Sequence, residues 1–201
     1  MGYMCSWIAI RTDAKDKVLE HLGLAETGTL VQPASRTKPM SIHQSANGWT
    51  FIFAEDFDWA DWEQVLDLSR FGLALGIQFE DKVEMTVILR AAEDGRELWS
   101  VSHINDPDHA LDVTGEPPAE FEEIRRKYEK QQAEDEDDVD WLQEIPLELA
   151  RRLSGYRVDE DPIDFIALAR PSAGGKKSAE GEKEAVSSGL LGRVFALFNA
   201  K

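Results

Sequence analysis

Cysteine is almost missing from this chain. Cys5 is the only one, so no intramolecular disulfide can form, and a reducing compartment is the natural setting. A lone thiol without positive neighbours reads as a small apolar filler in a strand, not as a nucleophile. Long apolar runs are missing too: no stretch approaches the roughly 18 consecutive apolar residues that span a bilayer. Met1-Gly2-Tyr3-Met4-Cys5 has no basic start and no long apolar segment behind it, which argues against a secretory leader. Together these readings give a cytoplasmic protein as the expectation. Met1-Gly2 with Ser6 does meet the short myristoylation pattern, but Tyr3 to Ile8 reads as a buried strand, not an exposed anchor.

Positive charge is scarce. Twenty-two bases face 39 acids, for a formal charge of -17. A phosphate backbone would be repelled, which excludes non-specific nucleic-acid binding. The excess is uneven: Glu116 to Asp164 holds 17 acids and 7 bases, whereas Arg170 to Lys201 holds 3 and 6. Catalytic signatures are missing as well. The glycines form neither a P-loop nor a GxGxxG opening a helix, and there is no GxSxG, HExxH or CxxC. No motif asks for a cofactor or a resident metal, and none is expected.

What remains is enough to fold. Hydrophobic residues make up 42% of 201, with six tryptophans and nine phenylalanines, and large rings contribute most to burial. Met4 to Arg11 has strand composition. Asp13 is placed to cap a helix through Leu22, with Gly23 beyond its end. Gly28 to Val31 reads as a short strand and Pro33 to Pro39 as a loop. Met40 to His43 and Trp49 to Ala54 read as a hairpin, because Asn47-Gly48 supplies the positive φ angles of a tight turn. Asp58 is then placed to cap a helix carrying Trp59, Trp62, Val65, Leu66 and Ser69 at helical spacing, stopped near Gly72.

Leu73 to Glu80, Val83 to Ala92 and Glu97 to Ile104 read as three strands with short turns at Asp81-Lys82 and Glu93-Asp94-Gly95. Connections that short require antiparallel neighbours. A helix follows Pro117-Pro118 as far as Gln132, with Phe121, Ile124 and Tyr128 on one side. Acids fill its first turn and bases its later part, in the order the helix dipole favours. Pro146 opens another helix, closed by Gly155, and Ile163 to Ala169 reads as a last strand. Strands grouped in antiparallel runs, with helices between the groups, predict an α+β fold. The expected organisation is an α+β domain over 1–169, a Gly/Ser/Lys/Glu linker over 170–188, and an amphipathic helix over 189–201.

Few constellations could carry chemistry. His103-Ile104-Asn105-Asp106-Pro107-Asp108-His109 holds two imidazoles and two carboxylates at a strand end, so His103, Asp106 and His109 are the candidates for acid–base or metal work. Their spacing matches no standard zinc pattern, and Asn-Asp-Pro-Asp is also ordinary turn chemistry. Glu134, Asp135, Glu136, Asp137 and Asp138 form an unbroken acidic run, without the glycine and terminal glutamate of a calcium loop. Glu55, Asp56, Asp58 and Asp61 crowd carboxylates at a helix start, where acids also act as caps. Trp49, Trp59, Trp62 and Trp99 could line an aromatic pocket or simply fill the core. Leu190, Leu191, Val194, Phe195 and Phe198 cluster on one face of the terminal helix, fit to dock on the chain's own domain, a partner groove or a membrane surface.

These readings favour a non-catalytic acidic binding protein for a basic protein partner, such as a toxin-immunity protein or an adaptor, with the acidic run and the terminal helix as contact residues. The alternatives are an enzyme or metal-using domain centred on His103–His109, and a small-ligand sensor.

Overall fold

The computed structural model describes residues 4–32, 40–81, 85–104, 111–135 and 139–171. Nine strands build one sheet: β1 (Met4–Arg11), β2 (Ala25–Val31), β3 (Met40–Gln44), β4 (Trp49–Ala54), β5 (Ala74–Glu80), β6 (Thr86–Glu93), β7 (Arg96–Ile104), β8 (Asp112–Gly115) and β9 (Phe165–Ala169). Their spatial order is β2-β9-β3-β4-β1-β5-β6-β7-β8. Every neighbouring pair is antiparallel. Among the described residues four α-helices complete the α+β architecture: α1 (Lys15–Leu22), α2 (Trp62–Leu68), α3 (Glu120–Glu134) and α4 (Glu144–Ser154).

The central strand β1 is buried on both sides, so it reads as a nearly continuous apolar run. Cys5, Trp7 and Ala9 point to one face and join Phe51, Phe53, Leu75, Ile77 and Leu89 under α3 and α4. Ile8 and Ile10 point to the other and join Ile42, Ile52 and Leu168 under α1 and α2. A two-residue repeat in the strands therefore feeds two separate cores. Helix α3 contributes Phe121, Ile124 and Tyr128 from one stripe, and all three are buried.

Glycine lets α2 sit close. A Cβ at Gly76 would lie 2.1 Å from Val65 Cγ2, and the branched valine side chain cannot swing away cheaply. Gly76→Ala is expected to cost about 1–3 kcal/mol by overpacking, measured as a lowered urea midpoint with an unchanged slope.

Local capping differs from the sequence expectation at three places. Ala14 is the cap of α1, with its N–H donated to Thr12 Oγ1 at 3.1 Å, and Asp13 takes no part. Asp58 does not cap the tryptophan helix, which is broken in two. Asp56 caps a 3-10 turn over Phe57–Ala60, and Asp61 caps α2 by accepting from the Gln64 N–H at 2.8 Å. In the β3–β4 loop only Gly48 has positive φ. Asn47 instead donates from its side chain to the Ser154 carbonyl at 3.2 Å, tying the loop to α4. The Glu93–Gly95 turn does have Asp94 and Gly95 both at positive φ, as a two-residue hairpin loop requires. Strand β8 is absent from the sequence reading, being four exposed residues with one large apolar side chain.

Candidate functional site

The described part of the His103–His109 segment is its first residue and the one after it; Asp106 and His109 lie outside the described residues. His103 is buried near the end of β7, on the face under α3 and α4. Its Nε2 is 2.6 Å from Asp140 Oδ2, and Asp140 Oδ1 accepts from the Leu142 N–H at 3.1 Å. The carboxylate is thus held from both sides, and the pair clamps the segment before α4 onto the sheet. Cys5 lies on the same cross-strand row, through Phe79 and Val87. Three strand spacings, roughly 14 Å, separate it from His103. These two side chains therefore do not form a nucleophile–base couple. No group of three His, Cys, Asp or Glu side chains that could hold a metal occurs among the described residues.

Of the acidic run, Glu134 and Asp135 are described, and Glu136, Asp137 and Asp138 lie outside the described residues. Glu134 pairs with Lys130 at 3.7 Å. Asp135 accepts the indole N–H of Trp141, so it serves the fold. Leu190, Leu191, Val194, Phe195 and Phe198, and the linker before them, also lie outside the described residues. The four tryptophans do not converge: Trp49 and Trp99 are in the core under α3 and α4, whereas Trp59 and Trp62 pack on the opposite face.

Two surface features were not legible in the sequence. The first is the β6–β8 end of the sheet. On the α1–α2 face, register aligns Thr86, Ile88 and Arg90 with Ser100, Ser102 and Ile104, and then with Asp112 and Thr114. Arg90 marks the limit of helix cover. Its guanidinium lies 5.6 Å over the Trp62 ring and donates to Gln78 Oε1. Burial lowers its pKa, partly offset by Asp61 and Glu97. Beyond it Ser100 and Ser102 are half-buried, and Asp112 and Thr114 are exposed. Leu98, Ile104 and Val113 are 42%, 42% and 40% exposed. Val113 lies on the other face, paired with buried Val101, and Glu93, Asp94, Arg96, Glu97, Asp112 and Glu116 are exposed at this end of the sheet.

The second is a cavity of about 390 Å³ where β3 and β4 end, lined among the described residues by Met40, Ala54, Glu55, Asp56 and Trp59. Met40 and Ala54 are cross-strand partners. The turn bearing Trp59 is stapled to the sheet: Ser6 Oγ donates to the Asp56 carbonyl at 2.6 Å and accepts from the Ala60 N–H at 3.2 Å. Gln78 Nε2 holds the Phe57 carbonyl at 2.9 Å.

Comparison with known proteins found no matching family model, no similar curated protein and no similar solved structure.

Proposed function

We propose that this chain is a non-catalytic acidic binding protein for a basic protein partner, acting as an inhibitor of the immunity type or as an adaptor, with the β6–β8 end of the sheet as its contact surface. The observation that carries this reading is the pair of exposed apolar side chains Leu98 and Ile104 on β7, with the exposed acids Glu97 beside Leu98 and Asp112 on the neighbouring strand. Exposed apolar side chains with a charged rim are ordinary constituents of a protein interface. The sign of the rim selects the partner, because complementary charge speeds encounter and repels wrong partners. The net charge of -17 extends the same field over the whole molecule. Strand β8 is the last strand of the sheet among the described residues, and its backbone edge could take one more strand from a partner.

Capture from native-host lysate tests this, with the full chain, the triple variant Glu97→Lys/Asp112→Lys/Glu116→Lys, and a chain ending at Arg170. A basic partner should bind the full chain at low salt, with affinity falling about tenfold or more by physiological salt. The triple variant should lose it. Capture indifferent to both salt and charge reversal would overturn the reading. Loss on truncation at Arg170 would move recognition to Leu190–Phe198.

A further inference from the structure

We infer that the outer edge of β8 receives an extended segment of the basic partner, a strand along which basic and apolar side chains alternate. This rests on the proposed use of the β6–β8 end as the contact surface, and it names the part of the partner held there. An edge strand presents a row of backbone N–H and C=O groups that pairs with a further strand unless something prevents it. The two edges of this sheet differ. Strand β2 is broken by a register shift between Glu26 and Leu30, with Gly28 at φ 75°, and the Ala167 carbonyl accepts from the Thr27 hydroxyl at 3.0 Å. A bulge of this kind turns an edge away from a newcomer. Strand β8 instead keeps successive pairs with β7 without a shift, from Ser102–Asp112 to Trp99–Gly115. Among the described residues it pairs with β7 alone, and all of its residues are exposed.

The pleat orders the guest. Successive side chains of a strand point to opposite faces, and an added strand continues both faces. Asp112 and Thr114 share a face with Ser100 and Ser102, so a guest side chain set beside Asp112 meets a carboxylate. An opposite charge is favoured there and an acid repelled. Glu97 and Glu116, both exposed at the Gly115 end of the strand pair, strengthen the same preference. Val113 points to the other face, opposite buried Val101, and is 40% exposed. A guest side chain beside it would cover apolar surface. Basic on one face and apolar on the other is a two-residue alternation. The carboxylates also select against a second copy of this chain, because edge-to-edge pairing would bring like charges together. Gly115 sets the length. Its φ is 73°, and a Cβ there would lie 2.3 Å from the Leu98 carbonyl oxygen, so the strand stops and the guest pairs over 4 residues.

The test is NMR titration of the full, isotope-labelled chain at low salt with synthetic peptides. The probe is a capped heptapeptide in which lysine and valine alternate. Its controls are the same composition with the lysines grouped, and two isomers carrying backbone N-methyl groups on the valines or on the lysines. The alternating peptide should give saturable shifts and slowed hydrogen exchange at the amides of Val113 and Thr114, and the grouped peptide should bind about tenfold more weakly or worse. Alternate N–H groups of a strand point to the same edge. One N-methyl isomer should therefore lose about tenfold or more in affinity while the other stays within about threefold, and the one that loses tells the direction of the guest. Asp112→Lys should weaken the alternating peptide by about tenfold or more. Equal binding by the two N-methyl isomers, or by the grouped peptide, would mean charge attraction without strand pairing; it would overturn this inference and leave the acidic contact surface standing. Absence of saturable shifts in β8 would overturn it as well. Protection of the β8 amides that grows with chain concentration, without peptide, would give the edge to a second copy and overturn it too. Partner capture from lysate is read separately, so failure of the contact surface is distinguishable from failure of the strand.

Discussion

Arg157→Ala is expected to destabilise the domain by about 3–5 kcal/mol, the largest effect of any single charged side chain in the described fold. The guanidinium is buried, 3% exposed. It donates two hydrogen bonds to Glu144, at 2.6 and 3.2 Å, and two to Asp159, each at 2.7 Å. Burial opposes its charge, but the hydrogen bonds and fields of Asp159 and Glu144 outweigh burial and hold its pKa above the ordinary arginine value. A group whose folded pKa is raised contributes stability that persists until the pH rises past its unfolded pKa. That pKa already lies far above physiological pH, so the contribution of Arg157 itself is constant across physiological pH.

The cost of the substitution comes from what is left behind. Two carboxylates that face each other across the site would lose their common counter-charge. Urea unfolding of the variant measures the loss, and a native domain of this size has only about 5–15 kcal/mol to lose. Arg157→Met combined with Glu144→Gln and Asp159→Asn should recover much of the stability, because the uncompensated charges go with the arginine. If the single substitution cost less than about 1 kcal/mol, the network would be behaving like an exposed surface pair.

Trp7→Ala is expected to cost about 3–5 kcal/mol, and Trp7→Phe much less, under about 1.5 kcal/mol. Trp7 is fully buried at the centre of the sheet, between Phe53 and Ile77 in register and 6.0 Å edge-on from Tyr156. Alanine there would leave a void that the packed strands cannot close. Phenylalanine leaves a smaller one and removes a liability. The Trp7 indole N–H is buried without a hydrogen-bond partner among the described residues, and such a donor carries a desolvation penalty of about 1–3 kcal/mol. Because both variants lack the indole N–H, the penalty is read from the step between the parent and Trp7→Phe, as the change in urea midpoint. A loss well above about 1.5 kcal/mol in Trp7→Phe would mean that the indole N–H is satisfied in solution.

Trp7 also shows why the site was harder to read than the fold. In the sequence, Trp7 sits in an apolar run, and Trp59 stands between Asp58 and Asp61. The strand period places Trp7 in the core, whereas Trp59 lies on a short turn whose position depends on Ser6 and Gln78, far along the chain. The carboxylates near it were visible as a crowd at a helix start. Which of them cap the helix, and which is left without a partner, was decided by the break between the 3-10 turn and α2.

His103 teaches the converse. Its sequence neighbours suggested chemistry, but its partner in space is Asp140, 37 residues away. No local pattern announces a contact of that separation. Strand β8 escaped for a different reason. Four residues with all side chains exposed lack the alternation that marks a half-buried strand.

By itself the sequence determined the acidic character, the α+β class, the antiparallel run of β5, β6 and β7, and the helices around Val18, Val65, Phe121 and Leu149. Those properties follow from composition, periodicity and short turns, and each of these is local. Tertiary structure alone decided that β9 lies between β2 and β3, that the four tryptophans divide between two cores, and that Leu98, Ile104, Asp112 and Thr114 are exposed at the β7–β8 end. It also decided that Glu55 holds a buried oxygen without a hydrogen-bond partner among the described residues. The physical reason is common to all four: each depends on which distant segments share a face, and that choice is made by the burial of whole faces together, not by any window of the chain.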